Sequence, residues 1–265
     1  MNFKIFIKKL LGIYKPYIEY SQPLLSSDEY LFIHEQSKEE IFEDIDKLEG
    51  ELGFHIDKEY FEKLALHLQV VKKKSKINYQ HGRILYSVLR NYLSRNNEAL
   101  INIFETGTAR GFSSICLSKA LNDSDRNGVI ITLDVLPHNK ELYWNCIDDN
   151  EGKNTRAKLL SRWPNETKNI IFLEGETKNV LEGIYFERIH MSFLDAQHEK
   201  KDVLNEYNFV KSKQQSGDII ILDDYTPGLF DGVVEAVNII NAEKLYNIKI
   251  FSNSSERGYV IAIRK

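Results

Sequence analysis

The sequence predicts an α/β fold: a doubly wound, seven-stranded sheet, mostly parallel with an antiparallel last strand, behind an N-terminal helical extension. Three observations predict it. Short apolar, β-branched runs at 101–104, 129–133, 170–173, 189–194 and 218–222 alternate with stretches of helical spacing, the pattern of a parallel sheet with crossovers. Two further runs, 248–251 and 259–263, are joined only by a polar turn. That is too short for a parallel crossover, so they should pair antiparallel. Before residue 76 the chain shows helical stripes, so it divides into an extension, 1–75, and a main domain, 76–265.

Residues 1–36 are weakly patterned and are punctuated by Pro16, Pro23 and Ser26-Ser27-Asp28. Ser37 and Glu40 have the spacing of a capping box for a helix carrying Ile41, Phe42, Ile45 and Leu48. Gly50 and Gly53 end it. Asp57 caps the next helix, whose stripe is Phe61, Leu64, Ala65, Leu68 and Val71. Lys72 to Lys74 and Lys76 read as a solvated helix end. Gln80-His81-Gly82 opens a helix burying Ile84, Leu85, Val88, Leu89 and Leu93. The first strand then runs into a turn from Gly107 to Gly111 and a helix from Phe112 to Leu121. Residues 137–164 form a long connection with helical segments, Tyr143, Trp144 and Trp163. Its acidic run, Asp148 to Glu151, lacks the alternating spacing of a calcium loop and reads as solvated. His190, inside a strand, reads as a core histidine. Helices are expected over about 198–213 and 229–240.

Composition narrows the function. The chain has 265 residues, 42% hydrophobic and 28% charged, with a net charge of -4, so nothing marks it for nucleic acid. No run is long and apolar enough to span a bilayer. The start, Met1 to Leu11, is basic and apolar but interrupted by lysines, and reads as a docked terminal helix rather than a signal peptide. Cys116 and Cys146 both fall in helix-like stretches, which argues against a disulfide and for a cytoplasmic location.

In an open α/β sheet, ligands bind beyond the carboxyl ends of the strands. The residues there are Glu105, Asp134, Glu174, Asp195, Asp223 and Asp224, all acidic. One acid at a strand end is an ordinary helix cap. Six along one edge repel one another and call for a cation, a polyhydroxylated ligand, or both. At the first strand the glycine turn lets a ligand approach the backbone and the following helix N-terminus. Glu105 beside it disfavours phosphate and suits a ligand bearing hydroxyls or an ammonium group.

Glu105-Thr-Gly-Thr-Ala-Arg-Gly-Phe-Ser-Ser114 resembles the first motif of class I S-adenosylmethionine-dependent methyltransferases, which have a Rossmann-like sheet. It is closest to the small-molecule O-methyltransferase version. Asp134, 23 residues beyond Gly111 (134 − 111), matches the acid that grips ribose hydroxyls. The resemblance implies that Glu105, Gly107, Thr108 and Gly111 serve the methionine and ribose part of S-adenosyl-L-methionine. Val135 would pack on adenine, and Gly175 and Glu176 would lie at its edge. Phe193-Leu-Asp-Ala-Gln-His198 and Gly217 to Tyr225 resemble a narrower branch, the macrocin-type sugar O-methyltransferases, over residues 80–265. Ala196 and Gln197 depart from its usual glycine and second aspartate. That branch implies Mg²⁺ held by Asp195, Asp223 and Asp224, acidifying an acceptor hydroxyl, with His198 as general base. Asp195 thereby counts with His198 as catalytic. The acceptor is expected to be a small molecule or sugar, and the N-terminal helices are a candidate surface for a homo-oligomer. Trp144, Trp163 and Tyr225 offer either a sugar platform or aromatic core.

Other readings stay open at this point. A metal-independent enzyme would use His198 alone. A nucleotide-dependent oxidoreductase shares strand, glycine turn and helix, but Gly107 and Gly111 give G-x-x-x-G rather than G-x-G-x-x-G. A non-catalytic module would keep the pocket only for structure.

Overall fold

The computed structural model describes residues 17–252 and 257–265. The expectation for Met1 to Leu11 lies outside these residues. Among the described residues four helices come first: α1 (Ser27–Lys38), α2 (Glu43–Leu52), α3 (Lys58–Leu68) and α4 (His81–Arg95). Then β1 (Ile101–Thr106), α5 (Phe112–Asp123) and β2 (Gly128–Asp134) form the first crossover unit. Short helices α6 (Arg156–Leu160) and α7 (Pro164–Thr167) lead to β3 (Ile170–Glu174) and α8 (Thr177–Val180). The chain ends with β4 (Met191–Leu194), α9 (Lys200–Lys211), β5 (Ile219–Leu222), α10 (Asp231–Ala242), β6 (Tyr246–Ser252) and β7 (Gly258–Arg264).

The sheet order is β3-β2-β1-β4-β5-β7-β6. The pairs from β3 through β5 are parallel, and β7 runs antiparallel to both β5 and β6. The order reverses between β1 and β4, which opens a crevice at their carboxyl ends. Because β7 is reversed, its first residues reach that same edge.

One apolar core lies on each face. Leu85 and Leu89 of α4, Ile115 of α5, and Leu64 and Leu68 of α3 belong to one continuous core with Ile103 and Met191 of the sheet. The extension therefore shares its core with the main domain. Val203 and Tyr207 of α9, with Val233 and Val237 of α10, fill the other face against Phe104 and Val260. Each such side chain removed from water contributes about 1.5–3 kcal/mol.

Some local expectations are corrected. Ser37 starts no helix. Ser26 and Glu29 form the reciprocal capping box one helix earlier, and Ser37 lies within α1, donating to the Ile33 carbonyl at 2.8 Å. Gly53, in a left-handed conformation, ends α2, whereas Gly50 lies inside it. The acidic run is not solvated: Asp148 is buried against His67 and Arg162, and Asp149 accepts from the Trp144 amide at 2.7 Å. Lys72 to Lys74 follow α3 rather than end it. Trp144 and Trp163 are core residues, 4% exposed each. His190 is buried, its Nδ1 accepting from the Asn102 amide at 3.0 Å. Both cysteines are buried and free.

Candidate active site

A cavity of about 320 Å³ opens at the carboxyl ends of β1 to β4. Gly107 and Ala109 form its floor, and Leu133, Asp134 and Val135 one wall. Gly175, Glu176 and Thr177 line a second side, and Asp195 to Gln197 a third. Asp202, Asn205 and Glu206 of α9 complete it. Of the residues singled out in the sequence, Gly107, Asp134, Val135, Gly175, Glu176 and Asp195 thus meet at one cavity. Glu105, Thr108 and Gly111 do not line it.

The turn is built for close approach. Gly107 has φ +90°, and a Cβ there would lie 2.1 Å from the Asp195 carbonyl oxygen, so no larger residue fits. Ala109 also has positive φ, 45°, and its amide donates to Asp134 Oδ2 at 2.6 Å. The other oxygen of Asp134 accepts from the Leu136 amide at 2.8 Å. One carboxylate therefore ties the glycine turn to the end of β2. Glu105 is fully buried and accepts hydrogen bonds from the hydroxyls of Ser113 and Ser114. Burial raises its pKa against the opposing pull of those hydroxyls.

The row of acids is met by cations from the chain itself. Arg156, 1% exposed, donates from Nε to the Ala109 carbonyl at 2.8 Å and from Nη2 to the Leu136 carbonyl at 3.1 Å. It thereby braces both segments that Asp134 joins. Its guanidinium also lies over the rings of Trp144 and Phe172. Burial lowers its pKa, opposed by the charges of Asp134, Glu105 and Glu174.

Arg257 does the same beyond β4 and β5. Its Nε donates to Asp223 Oδ1 at 2.9 Å, and its Nη2 contacts Asp223 Oδ2. Asp224 Oδ1 lies 3.3 Å from Nε and Asp195 Oδ2 lies 3.9 Å from Nη2. Burial pushes the Asp223 carboxyl up, but the charges of Arg257 and His81, together with the hydrogen bonds from Arg257 and the Asp224 amide, leave its pKa below the usual range. Asp195 goes the opposite way: burial, then the Asp223 charge, raise it well above a normal carboxyl.

The three aspartates expected as metal ligands do converge, but around a guanidinium. Both oxygens of Asp223 are engaged by Arg257. As a divalent-cation ligand set, Asp195, Asp223 and Asp224 do not fit. A different trio, Asp195, His198 and Asp224, has ligand atoms within 4.8 Å of one another. His198 Nε2 lies 3.0 Å from Asp224 Oδ2, and its ring leans on Phe230 at 4.3 Å. Asp224 holds its side chain there with φ 56°, a strained conformation for a residue other than glycine. A small recess of about 10 Å³ at His198 shares Asp195, Gln197 and Glu206 with the cofactor-sized cavity.

Glu206 was not legible in the sequence. It is 2% exposed, with Oε2 accepting from the Thr106 hydroxyl at 2.8 Å. Burial raises its pKa to about 7, with the Thr106 and Thr177 hydroxyls opposing. A raised carboxyl pKa means the folded state favours the protonated form. That stability is complete below the ordinary value of 4.5 and is lost as pH rises through about 7. Glu206→Gln keeps the neutral form, so its melting temperature should gain on the wild type between pH 5 and pH 8. The full difference is on the order of 3 kcal/mol, and scanning calorimetry of both proteins at the two pH values reads it.

Residues 104–225 match a family described as a methyltransferase domain. The O-methyltransferase TomG from Streptomyces achromogenes, solved with S-adenosylmethionine, is similar in fold with a TM-score of 0.56 and 16% identity. The match covers 80% of this chain and 92% of that one. The O-methyltransferase NovP gives 0.53 at 15% identity, over 91% and 100%. The Bacillus cereus O-methyltransferase with S-adenosylhomocysteine gives 0.51 at 19%, over 79% and 92%. No curated protein sequence matches. The fold is one that these O-methyltransferases share, and the matched segment is similar to a methyltransferase domain. That segment runs from within β1 to just past β5 and holds the glycine turn, Asp134 and Asp195.

Proposed function

We propose that the chain transfers the methyl group of S-adenosylmethionine to a hydroxyl oxygen of a small acceptor, with a sugar or glycosylated molecule the favoured class. One observation carries the reading: the cavity bounded by Asp134 and Asp195 shares residues with the recess at His198. In this reading Asp134 serves the ribose, Val135 packs on adenine, and Gly175 and Glu176 border its edge. Gly107 lets the methionine part approach, while Glu105, Thr108 and Gly111 hold the turn in shape. The acidic rim, with Glu176, Asp195 and Asp202, repels a phosphate backbone and favours hydroxyls. The likeness of the 193–225 segment to macrocin-type enzymes supports a sugar-type acceptor.

His198 is the general base. With Nε2 protonated and donating to Asp224, Nδ1 carries the lone pair. The acceptor oxygen attacks the methyl carbon, and the C–S electron pair returns to sulfur, leaving neutral S-adenosylhomocysteine. The hydroxyl proton passes to Nδ1. The chain's main task is to hold oxygen, carbon and sulfur in line. Because Arg257 engages Asp223, no step in this mechanism runs through a metal on the three aspartates.

Calorimetry with S-adenosylhomocysteine tests the cofactor, and a panel of sugars, glycosides and catechols assayed for S-adenosylmethionine consumption tests the acceptor. The wild type should bind S-adenosylhomocysteine. Asp134→Asn turns one acceptor oxygen into a donor facing a backbone amide, a loss of about 1.5–3 kcal/mol, or ten- to a hundredfold in affinity. An absence of wild-type binding would overturn the reading.

A further inference from the structure

We propose that Arg257 is the resident cation of the acceptor site. It takes the place a divalent ion would have among Asp195, Asp223 and Asp224, excludes such an ion, and fixes the carboxylates that orient His198.

The argument rests first on saturation. Asp223 is fully buried at its side chain and both oxygens go to one guanidinium. A fork of two parallel hydrogen bonds is the strongest arrangement available to this pair. The same guanidinium reaches Asp224 at 3.3 Å and Asp195 at 3.9 Å. A divalent ion on these carboxylates would sit within a few ångströms of a permanent positive charge. Arg257 cannot leave by losing its proton: burial opposes its charge, but the Asp223 and Asp195 carboxylates and the hydrogen bond to Asp223 raise its pKa further.

The second support is that Arg257 is held from behind. Its Nη1 donates to the Asn78 carbonyl at 3.0 Å, and Asn78 Oδ1 accepts from the Tyr259 hydroxyl at 3.1 Å. The next residue, Gly258, is zipped to β5's exit: the Tyr225 amide donates to its carbonyl at 2.9 Å. A Cβ on Gly258 would meet the Tyr225 carbonyl at 2.2 Å. The backbone that delivers Arg257 therefore has one close-fitting position. Lys73, in the segment leading to Asn78, also feels the charges of Asp223 and Asp224, so the cluster faces a second cation.

Arg257 acts through other groups. It touches Asp224, and Asp224 touches His198 Nε2 at 3.0 Å. It is a positioning residue, and removing it should uncover the trio Asp195, His198 and Asp224 as a metal-binding set.

The test uses Mn²⁺ as probe on full-length protein, with and without S-adenosylhomocysteine, with free Mn²⁺ read by electron paramagnetic resonance. Wild-type protein should show no saturable uptake below about 1 mM. Arg257→Met should take up one equivalent at least about tenfold more tightly. Adding Asp224→Asn to that variant should abolish the uptake, and Arg257→Lys, which keeps the charge, should exclude Mn²⁺ as the wild type does. Arg257→Gln replaces Arg257→Met if the latter fails to hold S-adenosylhomocysteine. Stoichiometric wild-type uptake that is lost in Asp223→Asn overturns the proposal. So does a cofactor-binding Arg257 variant with no gain in Mn²⁺ affinity. The inference rests on the methyltransferase reading for the identity of the site. Calorimetry of S-adenosylhomocysteine on the same samples judges that reading separately, since a protein that failed to bind it would still give an Mn²⁺ result.

Discussion

Replacing His198 by alanine is expected to lower kcat by about 10²–10⁴-fold, the span that a positioned general base contributes, while S-adenosylhomocysteine affinity stays within about twofold of the wild type. The separation follows from where His198 lies. It borders the small recess and not the main cavity, and its imidazole partner is Asp224, not a wall residue of the cofactor site. Because its side chain is 41% exposed, truncation leaves a space that water fills rather than a core cavity, and the fold should hold. His198→Gln places an amide near the same position with no basic nitrogen, and should be as slow as alanine. Activity close to wild type in either variant, on an acceptor found by the panel, would assign the proton to another group.

Replacing Arg156 by methionine should cost about 3–5 kcal/mol of stability and weaken cofactor binding together with it. Methionine fills part of the volume over Trp144 and Phe172 but donates nothing. The carbonyls of Ala109 and Leu136 would then be left without their partner in a buried site, at about 1–3 kcal/mol each. The charge matters as well, since the carboxylates of Asp134, Glu105 and Glu174 all favour the charged Arg156 guanidinium. Chemical denaturation measures the first effect and calorimetry with S-adenosylhomocysteine the second. A stable variant with ordinary affinity would show that Asp134 alone suffices to hold the turn against β2.

The sheet was legible because its signals are local. Five apolar runs, each closing on an acid, could only be strands ending at one edge, and a six-residue polar turn could only reverse the last one. The glycine turn was legible because Gly107 must admit a carbonyl oxygen that no side chain tolerates. What could not be read was how the acids are paid. Arg156 sits in a connection with no periodic signal, and Arg257 follows a polar turn, 62 residues from Asp195 (257 − 195). Neither spacing carries meaning until the sheet brings them together. A signal did exist: an edge crowded with carboxylates demands cations, and only a reversed strand begins at that edge. The N-terminal misplacement of a helix start at Ser37 has a simpler cause. Ser26 and Glu29 make both reciprocal bonds and start the helix there, so Ser37 falls within it.

The reversed strand has a consequence for how this architecture diversifies. In a parallel strand, the residue that meets the ligand is the last one, and it is committed to starting a crossover helix. In β7 it is the residue just before the strand, at the end of a hairpin that carries no crossover. A change there alters the charge beside Asp195, Asp223 and Asp224 without touching the glycine turn, which is tied to β2 through Asp134 and Arg156 on the other half of the sheet. The two halves of the site can thereby vary separately: if Arg257 is the resident cation proposed above, a single-residue exchange at position 257 is a short mutational route between a site that carries its own cation and one that recruits it from solution.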